Sequence, residues 1–327
     1  MFNLRSNMNI VITGSIAFDY LMAFSGRFAD HFLPDKLDRI SVSFLVDSLR
    51  KRKGGCAANI AYNLALLGEH PMLVGLVGED FDEYRSDLKR VGVDVKHIRK
   101  IEGEFTASFF GNTDQAGNQI CSFYTGAMRH SSEISLSHII KDQSILVSIS
   151  PNDPGAMIQY VDECQKMNVP YIYDPGQQIV QLSGPSLKKG TEGSKMLIVN
   201  EYEYELFQKK VDLKDRDLLE LTETIIITLG DQGSKIITRE KTYGIPVSPP
   251  KRVIDPTGVG DGYRAGLIKG WVWGLPWDFV GRMGSLAATY VLETDGPQSH
   301  HYSLNDFIER YHQVFGESNA LRRLIKT

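Results

Sequence analysis

The sequence predicts an α/β fold: a doubly wound, mostly parallel sheet flanked by helices, with a second, small β-sheet that forms a lid. Short runs of β-branched residues alternate with longer runs of helical periodicity, which is the order of elements in such folds. Strand candidates such as TIIITLG and KMLIVN are apolar throughout and do not alternate with polar residues. Strands of that kind are typical of parallel sheets covered by helices on both faces.

The predicted elements follow one another along the chain. Strands are predicted at 10–16, 72–76, 145–149, 171–173, 196–199 and 225–229. Helices are predicted after most of them, at 57–67, 82–91, 155–167, 201–209, 261–273 and 277–293. Two segments, 18–53 and 104–125, break this alternation, and the second is predicted to form consecutive strands around a turn at 114–118. We expect these two segments to pair into the lid of a single domain that spans residues 1–327.

Composition and charge favour a globular protein with a small-molecule partner. Of the 327 residues, 42% are hydrophobic and 23% are charged, which argues against a disordered or fibrous chain. The net charge of −4 supplies no basic field that would attract nucleic acid or an anionic membrane. The three cysteines form no CxxC motif, and the apolar stretch near the N-terminus is too short for a signal peptide or a membrane span. We therefore expect a cytoplasmic protein.

A glycine-rich segment, VIDPTGVGDGYRAGLIKGW at 253–271, is the strongest candidate for a site. Its glycines lead into a helical run, so backbone N–H groups converge at a helix N-terminus, where an anion such as phosphate is favoured. Asp261, in the first turn, would place a carboxylate beside that anion, as a phosphotransferase requires. The alternative is a glycine-rich turn in which Asp261 only caps the helix. The segment is not a dinucleotide-binding fingerprint, because Tyr263 occupies the last glycine position.

A second glycine signal is KGGCAANIAYNLALLG, in which Gly54 and Gly55 open a predicted helix. One interpretation is that the glycines bring the backbone close to a polar ligand, to which Asn59 forms a hydrogen bond. The other is a tight turn that packs the helix on the sheet and leaves Asn59 in solvent.

Together, GGCAAN at 54–59 and DPTGVGDG at 255–262 resemble the two signatures of the PfkB, or ribokinase-like, carbohydrate kinase family. Three further motifs occur in the family's order: GSIAFD ending at Asp19, an NxxE motif from Asn200 to Glu203, and ITLGDQG at 227–233. The resemblance covers about 10–300, nearly the whole chain. It implies a ribokinase-like fold and an ATP-dependent kinase that phosphorylates a primary alcohol of a sugar or nucleoside.

The resemblance also implies roles for the residues of the second signature. Asp261 would be the general base, and the backbone of Gly258, Val259 and Gly260 would form the anion hole for the transferring phosphoryl group. The family more often has alanine at the position of Val259, a difference that should not matter if only the backbone acts. Helical spacing, and not the resemblance, suggests a role for Arg264: three residues after Asp261, it would contact phosphate or else pair with a surface carboxylate.

By the same resemblance, the nucleotide and metal sites involve residues at strand ends. Thr228, Gly230 and Gly233 would border the nucleotide. Asn200 and Glu203 would organise Mg²⁺ and its waters against the phosphates of ATP, which suits a hard cation that keeps several waters. The alternative for Glu203 is an exposed position on an acidic helix.

Asp19, Asp255 and Thr257 complete the implied site. Asp19 would accept hydrogen bonds from two hydroxyl groups of the acceptor. Asp255 and Thr257 match positions where many relatives hold a monovalent cation, so K⁺ is a candidate activating ion.

Aromatic residues in the predicted lid, including Phe44 and Phe123, favour a nucleoside acceptor, because a nucleobase needs flat apolar faces on which to stack. Stretches such as FYTGAM at 123–128 also resemble bacterial adenosine or broad-specificity nucleoside kinases more than ribokinase or fructokinase. We therefore expect phosphorylation of the 5′-hydroxyl of adenosine or a related nucleoside by a monomer or homodimer. The alternatives are that these aromatics only hold the lid together, that the acceptor is ribose or fructose, or that the chain is a non-catalytic ligand-binding relative.

Overall fold

A computed structural model describes residues 8–32, 39, 41–141, 144–318 and 321. The strands are β1 (Asn9–Thr13), β2 (Ala17–Ala23), β3 (Ser48–Gly54), β4 (Met72–Val77), β5 (Ile98–Lys100), β6 (Ala107–Thr113), β7 (Gln119–Tyr124), β8 (Ile145–Ile149), β9 (Tyr171–Tyr173), β10 (Met196–Asn200), β11 (Thr224–Thr228), β12 (Ser234–Thr238) and β13 (Thr242–Ile245). The helices are α1 (Cys56–Leu66), α2 (Asp82–Val91), α3 (Leu136–Ile139), α4 (Pro154–Met167), α5 (Gly184–Thr191), α6 (Glu201–Val211), α7 (Asp215–Leu221), α8 (Val259–Val272), α9 (Trp277–Leu292) and α10 (Leu304–Phe315).

The large sheet has nine strands in the order β13-β12-β11-β10-β9-β8-β1-β4-β5. The strands from β5 to β11 pair in parallel, whereas β12 and β13 add an antiparallel hairpin at one edge. The chain first builds outward from β1 to β4 and β5, then returns to the other side of β1 with β8. This reversal creates a crevice at the carboxyl ends of the central strands, where open α/β sheets bind ligands.

Helices cover both faces of this sheet, which explains the continuous apolar runs of the strands. In β1, Ile10 and Ile12 pack into one buried cluster with residues of α1, α2 and α8. Val11 points to the opposite face and packs into a second cluster with residues of α4, α5 and α6. The predicted doubly wound α/β class is therefore confirmed. No helix in the described part of the chain is both long and apolar enough to cross a bilayer.

A separate sheet of four strands, in the order β3-β2-β6-β7, is called the small sheet below. Its strands come from the two segments that break the α/β alternation; residues 33–38 and 40 of the predicted segment 18–53 lie outside the described part. The turn between β6 and β7 is held by Asp114, whose Oδ1 accepts hydrogen bonds from the backbone N–H groups of Ala116 and Asn118. The predicted strand at 10–16 ends early, at Thr13, because Gly14 adopts a φ of +147° and the chain then turns into β2 of the small sheet.

Candidate active site

A cavity of about 800 Å³ opens at the carboxyl ends of β9, β10 and β11. Its polar lining includes Asp174, Asn200, Glu203, Thr228, Gly230, Gly233, Gly260, Asp261 and Arg264. An apolar part is lined by Val247, Pro250, Val253, Ala288 and Leu292. The NxxE motif, ITLGDQG and the glycine-rich segment, which are far apart in the chain, thus line one cavity that offers both apolar surface and hydrogen-bonding groups. Asp19, Gly54, Gly55 and Asn59 are not among its lining residues.

Asp261 lies in the first turn of α8 and is only 9% exposed. Its Oδ2 accepts a hydrogen bond of 2.9 Å from Nδ2 of Asn59, a buried residue of α1. Burial raises the pKa of Asp261 from 3.8 to about 6, although Arg264 and the hydrogen bond from Asn59 act in the opposite direction. A carboxylate with this pKa is ionised at neutral pH and accepts a proton more readily than an ordinary aspartate.

The N-terminus of α8 is open to an anion. Gly258 precedes the helix with a φ of +77°, and no side chain caps it. The ladder of helical hydrogen bonds starts when Gly262 N–H donates to Gly258 O, while Val259 N–H contacts Pro256 O at 3.3 Å. The N–H groups of Gly260 and Asp261 therefore have no acceptor within the helix and are available to bind a negatively charged group.

Arg264 is held in a defined orientation by Asp174, the residue that follows β9. Its Nε and Nη2 donate to the two carboxylate oxygens at 2.5 and 2.7 Å, and Asp174 is only 1% exposed. The partner of Arg264 is thus a buried carboxylate and not the surface carboxylate considered from the sequence. Its remaining nitrogen, Nη1, would lie 2.8 Å from a Cβ atom built on Gly260. The guanidinium group therefore lies directly beside the open N-terminus of α8.

Asn200 and Glu203 form a capping box at the start of α6. Asn200 Oδ1 accepts from Glu203 N–H, and Glu203 Oε2 accepts from Asn200 N–H, both at 2.8 Å. Both residues line the cavity, and burial raises the pKa of Glu203. Within the described ranges, no group of three or more His, Cys, Asp or Glu side chains is arranged to hold a metal ion.

Asp19 lies on β2 of the small sheet, and its environment favours the neutral carboxyl group. Burial raises its pKa from 3.8 to about 6, against the opposing effect of Arg52 and with a further contribution from Asp255. The carboxylate lies across the backbone of Gly54, where a Cβ atom would be 2.5 Å from Asp19 Oδ2. Gly55 has a φ of +91°, and a Cβ atom there would meet the protein's own backbone at 2.6 Å. Its role is therefore the tight turn, but Asn59 is buried and not in solvent.

Asp255 has two protein partners, so its carboxylate does not fit the predicted monovalent cation. Its Oδ1 accepts from Thr257 N–H at 2.9 Å, and its Oδ2 binds Nη1 of Arg52 at 2.5 Å. Arg52 also pairs with Asp295. The positive charge beside Asp255 is thus a guanidinium group carried by β3.

The two predicted aromatic contacts differ in their surroundings. Phe44 packs against Phe24 and Phe28, with ring centroids 5.1 and 4.8 Å apart, as in the alternative in which aromatics hold the lid together. Phe123 on β7 is 49% exposed and lies opposite Phe109 of β6, which lies opposite Asp19 of β2. Directly paired residues share a face of a sheet, so Phe123 is on the same face as Asp19.

Three residues around the site were not identified from the sequence: Tyr84, Asp174 and Gln298. Asp174 carried a usable signal, because it directly follows a predicted strand at the edge where ligands bind. No sequence pattern indicated Gln298. Its Nε2 donates to Asn59 Oδ1 at 2.8 Å across 239 positions of sequence.

Comparison with known proteins places these features in context. Residues 17–302 match the family described as pfkB family carbohydrate kinase. The chain is 31% identical to a nucleoside kinase of Methanocaldococcus jannaschii over 303 residues, 92% of this chain and 96% of the relative. It superimposes on the Burkholderia thailandensis nucleoside kinase in complex with inosine with a TM-score of 0.82 and 34% identity, covering 94% of this chain and 98% of the other. A second structure of that kinase is a complex with ADP-inosine, with a TM-score of 0.82 and 35% identity over 94% and 96% of the two chains.

Proposed function

This chain belongs to the pfkB family of carbohydrate kinases, and we propose that it transfers the γ-phosphoryl group of ATP to the 5′-hydroxyl of adenosine or a related nucleoside. The observation that carries the proposal is Asp261, a buried carboxylate with a pKa of about 6 beside the open N-terminus of α8. Similar chains named nucleoside kinases, one of them solved with inosine, support a nucleoside as the acceptor.

Asp261 would act as the general base. Asn59 holds its Oδ2, which leaves Oδ1 to accept the proton of the acceptor hydroxyl. As the hydroxyl oxygen bonds to the γ-phosphorus, the bond from that phosphorus to the bridging oxygen breaks and ADP leaves. Because the transition state of phosphoryl transfer is loose, the proton moves late, and a base with a pKa of about 6 suffices.

Arg264 and the first turn of α8 would stabilise the charge on the transferring group. The N–H groups of Gly260 and Asp261 point out of the helix, and Nη1 of Arg264 lies beside Gly260. Asp174 holds the other two guanidinium nitrogens in a buried ion pair, so the arginine is oriented before the substrates bind. Preorganised donors of this kind lower the activation barrier because they do not have to reorient during the reaction.

Asn200 and Glu203 are the residues that would hold Mg²⁺, through water. Their oxygen atoms are hard ligands that line the cavity, and the lack of a carboxylate cluster in the described residues suits an ion bound mainly by phosphates and water. When bound, Mg²⁺ would neutralise charge on the phosphates. Asp255 and Thr257 do not fit K⁺ in this way, because Arg52 already pairs with Asp255, and the mechanism uses no monovalent ion.

The small sheet would bind the acceptor. Asp19 would accept hydrogen bonds from two ribose hydroxyl groups, and Phe123, on the same face, would offer its ring to the base. Closure of this sheet over the cavity would exclude water, which would otherwise hydrolyse ATP.

The test is ADP formation from Mg-ATP with adenosine, inosine, guanosine, cytidine, ribose and fructose, each with and without potassium. Asp261→Asn is the matched inactive control. We expect turnover with nucleosides and no requirement for potassium. Turnover with ribose or fructose alone would preserve the kinase mechanism and refute the nucleoside assignment. Lack of turnover with every acceptor would refute the proposed function.

A further inference from the structure

We propose that Gln298 is a positioning residue that fixes the side-chain amide of Asn59, and through it the catalytic carboxylate of Asp261. The inference rests on the proposed role of Asp261 as the base. Gln298 lies in the loop after α9, and its Nε2 donates to Asn59 Oδ1 at 2.8 Å and to Tyr84 Oη at 2.5 Å. Asn59 Nδ2 then donates to Asp261 Oδ2 at 2.9 Å.

The direction of these hydrogen bonds is set by the two groups at either end of the network, Asp261 and Tyr84. At one end, the Asp261 carboxylate only accepts, so Asn59 must present its N–H to it. At the other end, Tyr84 Oη donates to the carbonyl oxygen of Gly54 at 2.9 Å, so Tyr84 must accept from its other neighbour. A group between them must therefore donate in both directions. The NH₂ of Gln298 has the two hydrogens that this position requires.

The Asp261 carboxylate favours the N–H side of the Asn59 amide, and Gln298 fixes the same orientation from the other side by donating to Asn59 Oδ1. The two orientations of an asparagine amide are nearly equal in shape and differ only in which atom donates. A flipped Asn59 would place its Oδ1 against the Asp261 carboxylate, where two acceptors repel. The backbone of Asn59 is held separately, since its carbonyl oxygen accepts from Asn63 Nδ2 at 2.9 Å. Gln298 therefore controls the side chain of Asn59 and not its place in α1.

The same contacts connect the base to the small sheet, which would bind the acceptor substrate. Tyr84 is bonded to Gly54, the last residue of β3, and the Asp19 carboxylate lies against Gly54. A shift of β3 would move the carbonyl oxygen of Gly54, to which Tyr84 donates its hydrogen bond, and would thereby disturb the hydrogen bond between Tyr84 and Gln298. Gln298 thus joins the position of the small sheet to the orientation of the base.

Kinetics and pH dependence of Gln298→Met test the proposal. Methionine keeps the size of the side chain but donates no hydrogen bond. We expect kcat to fall about tenfold, as for the loss of one hydrogen bond, and the KM for ATP to stay within about twofold. The acid limb of the kcat/KM profile should move up by about half a pH unit to one unit, because Asn59 no longer reliably donates to Asp261. Gln208→Met is the matched control, since the side-chain amide of Gln208 on α6 donates to Asp215 at the exposed start of α7.

A double variant separates positioning from a general structural effect. In an Asn59→Ala background, Gln298→Met should change neither kcat nor the acid limb further, because the group through which Gln298 acts is gone. Additive effects would overturn the inference, as would a Gln298→Met profile equal to that of Gln208→Met. Gln298→Ala provides a second variant should the methionine side chain disturb folding.

A measurement without turnover distinguishes failure of this inference from failure of the proposed function. Titration of ¹³C-labelled aspartate carboxyl groups by NMR, with Asp261 assigned from Asp261→Asn, gives the pKa of Asp261 directly. That pKa should be higher in Gln298→Met than in the wild type, and an unchanged value would refute the inference even in a chain without kinase activity. The titratable and charged groups that face Asp261 are Arg264 on α8, Asp174 after β9, Asp19 on β2, Cys56 on α1 and Tyr84 on α2.

Discussion

Replacing Gly54 with alanine should weaken acceptor binding without unfolding the protein. A Cβ atom at position 54 would lie 2.5 Å from Asp19 Oδ2, whereas ordinary contacts begin at 3.4 Å. The carboxylate must therefore retreat by about 0.9 Å. It can do so by rotating, because the atoms that the new methyl group meets are the end of a side chain and not backbone.

The displacement sets the size of the effect. A hydroxyl group that donates to a carboxylate at about 2.7 Å would be left at about 3.6 Å, which is no longer a hydrogen bond. One hydrogen bond to a charged group contributes about 1.5–3 kcal/mol. Losing it should raise the acceptor KM about 10- to 150-fold, while the KM for ATP stays unchanged.

The assay is steady-state ADP release at varied acceptor and saturating Mg-ATP. Gly244→Ala is the matched control, because Gly244 also lies in a strand and a Cβ atom there would meet nothing within 4 Å. Thermal denaturation of both variants checks the fold. An acceptor KM of Gly54→Ala within twofold of the control would show that Asp19 does not bind the acceptor.

Further predictions concern the charged groups of the cavity. Asp261→Asn should lower kcat about 100-fold or more and leave the affinities for both substrates within a few-fold, as measured by calorimetry, because only the base is lost; a normal kcat would exclude Asp261 as the base. The kcat/KM profile should fall below about pH 6 with a slope greater than one proton, since the base must be ionised and Asp19 and Asp261 both have a pKa of about 6; a profile flat down to pH 5 would contradict this. Arg264→Met and Asp174→Asn should each lower the free energy of unfolding by about 3–5 kcal/mol in urea denaturation, because each leaves a buried polar group without its partner. The double variant should lose less than the sum of the two, and strict additivity would argue against the ion pair.

Local sequence patterns predicted the bounds of several elements to the residue. The helix at 82–91 has the bounds of α2, and the strands at 145–149 and 171–173 have those of β8 and β9. The hairpin of β12 and β13 was not predicted, because its strands are short and half-exposed at the sheet edge. Helix α10 was also missed, although its capping box of Ser303 and Asp306 is a local signal.

The site could be predicted only as far as its residues lie in motifs. The glycine-rich signature indicated Asp261, and the helical spacing after it indicated Arg264 on the same helix. The partner of Arg264 could not be deduced, since Asp174 lies 90 positions away in the sequence and only the fold brings the end of β9 beside the start of α8. The NxxE motif is also a capping box, so Asn200 and Glu203 have a local structural role that the family resemblance did not disclose.

The low-dielectric surroundings of Asp19 and Asp261 mean that the chemistry of this site opposes its thermodynamic stability. The pKa of each carboxyl is raised from 3.8 to about 6. A carboxyl group whose pKa is higher in the folded than in the unfolded chain stabilises the fold as long as it is protonated. Its contribution to the free energy of unfolding is therefore complete below its unfolded-state pKa, about 4, and is lost as the pH rises through about 6. At neutral pH each ionised carboxylate thus costs about 3 kcal/mol, a substantial share of the 5–15 kcal/mol by which a typical domain is stable. The two ionised carboxylates that the reaction needs thus lower the free energy of unfolding, and packing elsewhere in the fold must compensate for this loss.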